Sequence, residues 1–283
     1  MLKYISLPLL CLFISCSNYG QLTFISKLPK KIDEASGMVS ISNHTTWVIQ
    51  DHGNEDIIYQ VNDEGKLLEE FKVKNAKNQD WEDLAKDEHN NVYIADTGNN
   101  NNKRDDLVIY KIPNPEVEGG DKIDAEQIRF SYPEQDKFPP KNKELYYDSE
   151  ALFYHQGFLY IITKNRTSPF NAKTFIYKVP AKKGTYKAQR VGEFVPCTEK
   201  GVCLVTAADI SPDGSKIALL GYGKLWIFTD FTLDDFSKGH METIDLGATT
   251  QLESVYFRDN DTLIISDEER GNTGGNLYSY RLP

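Results

Sequence analysis

Ser149-Glu150-Ala151-Leu152, then FLYIIT (158–163) after the Gly157 turn, then FIYKV (175–179), is the succession whose reading decides the fold. An acidic or small-residue motif leads into two short runs rich in β-branched and aromatic residues, and the same order recurs four more times. The other openings are Glu34-Ala35-Ser36-Gly37, Trp81-Glu82-Asp83-Leu84, Thr206-Ala207-Ala208-Asp209 and Leu252-Glu253-Ser254-Val255. After them come TWVIQD (46–51), NVYIAD (91–96), KIALLG (216–221) and TLIISD (262–267). Third runs follow: IIYQV (57–61), VIYKI (108–112), LWIF (225–228) and LYSYRL (277–282). Short strands at a long regular period signal a β-propeller, in which no repeat can bury both faces of its sheet alone.

Each blade also needs an outermost strand. LLEEFKVK (67–74), QIRFSY (127–132), KAQRVGEFV (187–195) and METIDLG (241–247) supply four, and the fifth repeat stops at its third strand. QLTFISKLP (21–29) has no repeat of its own. Paired with the last repeat it closes the ring and removes two free sheet edges. The expectation is a five-bladed propeller; six blades is the alternative. A sixth blade would have to lie in the Pro- and charge-rich stretch from Pro113 to Lys143, where no fresh triplet of strands is found.

The chain opens with Lys3, an apolar run from Ile5 to Ile14, and Cys16, followed by polar residues. Residues 1–16 therefore read as a signal peptide whose Cys16 resembles the lipidated cysteine of bacterial lipoproteins, with an ordinary cleaved signal as the alternative. Residues 17–283 then form one propeller domain, lipid-anchored in the cell envelope and facing the periplasm or lying at the outer membrane. In that oxidising compartment Cys197 and Cys203 read as a disulfide, against a metal or redox pair that would need further ligands. Charge excludes one partner class: 42 acidic against 32 basic side chains, with no basic patch, argue against nucleic acid.

In a propeller the first strand of each blade lines the central channel, and the loop joining its second and third strands opens on the same mouth. Glu34, Glu82, Glu150 and Glu253 meet there, with Asp209 one pleat deeper in the fourth blade, where Ala207 takes the glutamate's place. The loops add Asp51, His52, Asn99, Asn100, Arg104, Lys164, Arg166, Tyr222 and Glu268. Carboxylates this close repel one another, and each unit of pKa displacement corresponds to about 1.4 kcal/mol. Ca²⁺, bound by carboxylates, Asn carbonyls and water, would offset the repulsion; protonation, pairing with Lys164 and Arg104, or hydrogen bonds to backbone amides would do so too. The Asn99 to Asn102 run reads as flexible loop and Trp81 as inter-blade packing. No Gly-x-Ser-x-Gly, His-Glu-x-x-His or phosphate-binding Gly loop is present, which disfavours a serine hydrolase.

EASGM (34–38), NQDWEDLA (78–85), YIADTGNN (93–100) followed by Arg104, DSEAL (148–152), YIITKN (160–165), VTAADISPDG (205–214) and QLESVYF (251–257) together resemble a group of bacterial envelope β-propellers. It comprises the SdiA-regulated proteins and the domains called esterase-like activity of phytase. The resemblance implies a site at the channel mouth, with calcium, and hydrolysis of a phosphoester or ester in the phytase-like branch. Here Asp-His-Gly-Asn (51–54) stands where that group has Asp-Ser-Gly-Asn. A more distant similarity to gluconolactonase-type propellers points to the same mouth. As an enzyme, the chain would hold Ca²⁺ through Glu34, Glu82, Glu150, Glu253 and Asp209, with Glu150, Lys164, Arg104 and His52 as the catalytic set acting on a small anionic substrate. As a non-catalytic module, the same face would bind a glycan or a protein. Fold alone does not choose between them.

Overall fold

The structure is a computed structural model that describes residues 18–283. Five sheets, antiparallel but for two edge strands, surround one axis, a five-bladed β-propeller. The inner strands are Ala35–Val39, Trp81–Lys86, Asp148–His155, Val205–Ile210 and Leu252–Phe257, one from each of blades 1 to 5, and each packs beside the inner strand of the next around a closed ring. Thr23–Lys27 pairs antiparallel with Asn276–Arg281, so the first strand completes blade 5 as expected. Signal and lipidation at Cys16 lie outside the described residues.

The alternation of side chains explains the ring. In Phe158–Lys164 of blade 3, Leu159 and Ile161 pack toward blade 2, while Tyr160 and Ile162 pack toward blade 4. Period-two alternation with both faces apolar requires a neighbour on each side. Five apolar clusters fill the five gaps between blades, with the fully buried Trp47 and Trp81 between blades 1 and 2 and Trp226 between blades 3 and 4. Trp81 is inter-blade packing, its Nε1 donating to Lys77 O at 3.1 Å.

Pro113 to Lys143 holds no sixth blade. Lys122–Asp124 from this stretch adds a fifth strand, parallel to Leu67–Lys74, on the outer edge of blade 1. Glu116 docks it, accepting from Gln60 Nε2 at 3.1 Å and Trp47 Nε1 at 3.4 Å. The run 187–195 is also divided. Gly184–Lys187 joins the edge of blade 2, parallel to Glu126–Ser131, and only Gln189–Phe194 serves blade 3. Each blade of this pair therefore borrows its edge strand from the repeat that follows, which covers a backbone edge otherwise free to pair with another chain.

Every inner strand carries a β-bulge near its start. Pairing skips between Trp81 and Asp83, Ser149 and Ala151, Val205 and Ala207, and Leu252 and Ser254, leaving Glu82, Glu150, Thr206 and Glu253 as the inserted residues. Blade 1 skips between Ala35 and Met38, leaving Ser36 and Gly37. A bulge re-aims one side chain out of the pleat. Gly37 is required where it stands, because a Cβ there would lie 2.7 Å from the Asp83 backbone of the adjoining blade.

Candidate functional site

The bulges deliver side chains to one mouth of the channel. A cavity of about 240 Å³ there is lined almost wholly by polar atoms, and Asp51, Glu82, Glu150, Lys164, Tyr222 and Glu253 all face it, with Ser36, Asn100, Arg166, Gln251 and Arg270 around them. Three of the expected glutamates are thus brought together with the loop residues expected beside them. Glu34 is not among them. It stands two residues before the blade 1 bulge, in the place that Asp80, Asp148 and Gln251 occupy in blades 2, 3 and 5, and its exposed carboxylate accepts from Asn54 Nδ2 at 2.6 Å. Ser36 takes the glutamate's place in blade 1, and Thr206, not Ala207, takes it in blade 4.

Asp209 also lies elsewhere. It accepts the Phe257 N–H at 2.7 Å and lines a cavity of about 500 Å³ at the opposite mouth, with Lys86 and His155; burial raises its pKa to about 6. Between the two mouths lies Asp83, fully buried, which accepts backbone N–H groups of Leu152 (2.8 Å) and Ala208 (3.1 Å) and so ties blade 2 to blades 3 and 4.

Two carboxylate triads share Glu82: Asp51, Asp80 and Glu82, and Glu82, Asp148 and Glu150, each with oxygens within 4.8 Å of one another. Their surroundings differ. In the second triad the protein supplies its own cations. Lys164 Nζ pairs with Glu150 and donates to Tyr222 Oη at 3.0 Å, while Arg166 donates to Asp148 Oδ2 (2.5 Å) and Glu150 Oε1 (2.7 Å). Burial alone would lower the Lys164 amine, and the carboxylates of Glu150 and Glu253 overcome it and hold its pKa above the usual lysine range. Lys164 is thus a locked ammonium. Tyr222 continues the chain, donating to Glu253 at 2.9 Å, and Gln251 joins Glu253 (2.5 Å) to Glu268 (2.7 Å).

The first triad has only one such neighbour among the described residues, the exposed His52 ring, whose Nδ1 lies 4.0 Å from Asp80 Oδ1. Among the described residues the carboxylates of Glu82 and Asp80 receive no hydrogen bond, and Asp51 receives one, from the His52 N–H at 2.5 Å. Glu82 is 6% exposed and lines the polar cavity without a hydrogen-bond partner among the described residues. Burial, followed by the neighbouring carboxylates, raises Glu82 far above the usual range and Asp80 to about 7. Gly98 passes against both, and a Cβ on it would collide with Glu82 Oε1 and the Asp80 carboxyl group. The 97–104 loop is fixed rather than flexible: Asn99 and Asn102 are buried, Asn99 N–H donates to Asp148 Oδ1 (2.6 Å), and Tyr147 N–H donates to Asn102 Oδ1 (2.7 Å). Arg104 braces it by donating to Asp96 Oδ1 (3.0 Å), Gly98 O (2.9 Å) and Asp106 Oδ1 (3.1 Å), which balances its charge structurally.

His52 stands beside the first triad in a second cavity of about 420 Å³ that also exposes Asp51, Asp80 and Asn100. Its Nδ1 donates to Gln79 O at 2.5 Å, a contact that raises its pKa and leaves Nε2 as the free ring nitrogen. Comparison with known protein families and with curated proteins finds no match. The site therefore stands on its own geometry. Arg270 and the triad role of Asp51 and Asp80 escaped the sequence reading; aligning the repeats two residues further on in blade 1 would have exposed the Asp80 position as a column of its own. Cys197 and Cys203 are joined in a disulfide that closes the loop leading into blade 4.

Proposed function

We propose that this propeller binds a small anionic ligand at one channel mouth with the help of a divalent cation, Ca²⁺, held by Asp51, Asp80 and Glu82. The observation that carries this reading is the buried, unpartnered Glu82 carboxylate beside two others. A hard dication ligated by oxygen satisfies all three at once, and the Gly98 backbone leaves room for them to converge. The cation supplies the positive charge that a ligand oxyanion needs in an otherwise acidic mouth; Arg166 and Arg270 border the same cavity and recognise the remainder of the anion. The Cys16 motif supports a lipid-anchored location in the cell envelope, which mass spectrometry of the mature chain tests directly.

Hydrolysis of a phosphoester or ester is the second reading, favoured by His52. Its free Nε2 sits at the cavity that exposes Asp51 and Asp80, in the position of a general base. Without turnover, the same face serves recognition of an anionic glycan or protein group. Calorimetric titration with CaCl₂ tests the cation site: one ion binds the wild type, Asp80→Asn and Glu82→Gln abolish binding, and Glu253→Gln retains it. Absence of heat and of thermal stabilisation at millimolar Ca²⁺ would remove the proposal. A panel of phosphoesters and lactones, assayed with and without chelator and with His52→Gln, separates catalysis from binding.

A further inference from the structure

Arg166 borders two cavities of opposite character. The first is the polar channel mouth. The second, about 260 Å³, is a cleft between loop 165–170 of blade 3 and the 200–204 end of the disulfide loop, with a mostly apolar accessible lining whose apolar side chains are Phe170 and Leu204. Lys200 and Arg166 place positive charge at its borders.

Both walls are held in place. Thr167 donates to Asn165 Oδ1 through its N–H (3.0 Å) and hydroxyl (2.7 Å), and the Ser168 N–H donates to Asn142 O (2.8 Å). Across the cleft, the disulfide closes the loop, the Cys203 N–H donates to Glu199 O (3.1 Å), and Trp226 Nε1 holds Pro196 O (3.1 Å). The cleft is therefore formed before any ligand arrives, which lowers the ordering cost of binding. Arg166 uses Nε and Nη2 on Asp148 and Glu150, while Nη1 has no acceptor among the described residues.

We propose that this cleft is a second subsite, which takes the apolar substituent of an organic anion whose charged group lies against Arg166 in the channel mouth. The inference rests on the anion-binding reading above and narrows the ligand class: an anion with an aromatic or branched apolar group in place of a bare inorganic ion or an unsubstituted sugar acid.

Calorimetry of inorganic phosphate and phenyl phosphate in saturating Ca²⁺ tests it. Phenyl phosphate binds about tenfold tighter than phosphate to the wild type, the scale of a modest apolar group in a preformed pocket. Phe170→Ala and Leu204→Ala, each checked for an unchanged melting profile, bring the ratio near one while leaving phosphate affinity as it was. Equal affinities in the wild type, or a ratio that neither variant changes, would overturn the subsite and leave the anion site standing. Failure of both anions to bind would end the anion-site reading, and the subsite with it.

Discussion

Replacing Asp83 by Ala should loosen the ring. Its Oδ2 accepts from Leu152 N and Ala208 N, on the inner strands of two other blades, and its Oδ1 accepts from Leu84 N at 2.8 Å. Removing the carboxylate strands two inter-blade N–H groups where water does not reach, and each unsatisfied buried donor costs about 1–3 kcal/mol. The expected loss is roughly 2–6 kcal/mol, a large share of the roughly 5–15 kcal/mol that holds a typical domain together. Asp83→Asn keeps a carbonyl oxygen for the two inter-blade donors, forfeits the Leu84 contact, and no longer buries a charge, so it should lose less than half as much. Urea unfolding followed by tryptophan fluorescence suits the measurement, because Trp47, Trp81 and Trp226 are all buried. An Asp83→Ala midpoint indistinguishable from wild type, or an Asn variant no better than the Ala variant, would refute the role of these bonds in joining blades.

Gly98→Ala should weaken Ca²⁺ binding at least about tenfold, or about 1.4 kcal/mol, by displacing Glu82 and Asp80; calorimetry reads this directly. Without Ca²⁺, thermal stability should fall as pH rises from about 4 to above 7. Asp80 and Glu268 have folded pKa values near 7, above the ordinary carboxyl range, so their contribution is complete at low pH and lost as they are forced to ionise. Ca²⁺ favours the ionised triad, and its stabilising effect, read from melting curves, should therefore grow over the same range. Replacing Cys197 and Cys203 by Ser should lower stability by about 2 kcal/mol in the absence of reductant, as expected for a short closed loop; a melting temperature unchanged by the substitution would contradict this.

The architecture was legible because runs such as FLYIIT carry apolar residues on both faces and recur five times with no helical pattern between them, and a radial arrangement of sheets covers both faces. The closing strand was legible for a related reason, since 21–29 and the incomplete last repeat complete one another. The bulges were not legible: nothing in Glu-Ala-Ser-Gly or Thr-Ala-Ala-Asp marks which residue is squeezed out of the ladder, so Glu34 and Ala207 were aligned out of register with Glu82, Glu150 and Glu253. A shift of one or two residues in a pleated strand changes where a side chain points. The strands 122–124 and 184–187 were missed because parallel edge pairing leaves no hairpin signal. Lys164 and Arg104 were read both as ligand contacts and as partners of the carboxylates, and the distances place both in ion pairs, Lys164 with Glu150 and Arg104 with Asp96.

The strand Thr23–Lys27 is the first of the fold to leave the ribosome, yet its partner Asn276–Arg281 is the last. Throughout synthesis it must persist without its partner strand, and a product cut short before the final repeat can never supply one. Closure of the ring thus doubles as a test of chain integrity, in which only full-length molecules hide the sticky N-terminal segment from proteases and from one another.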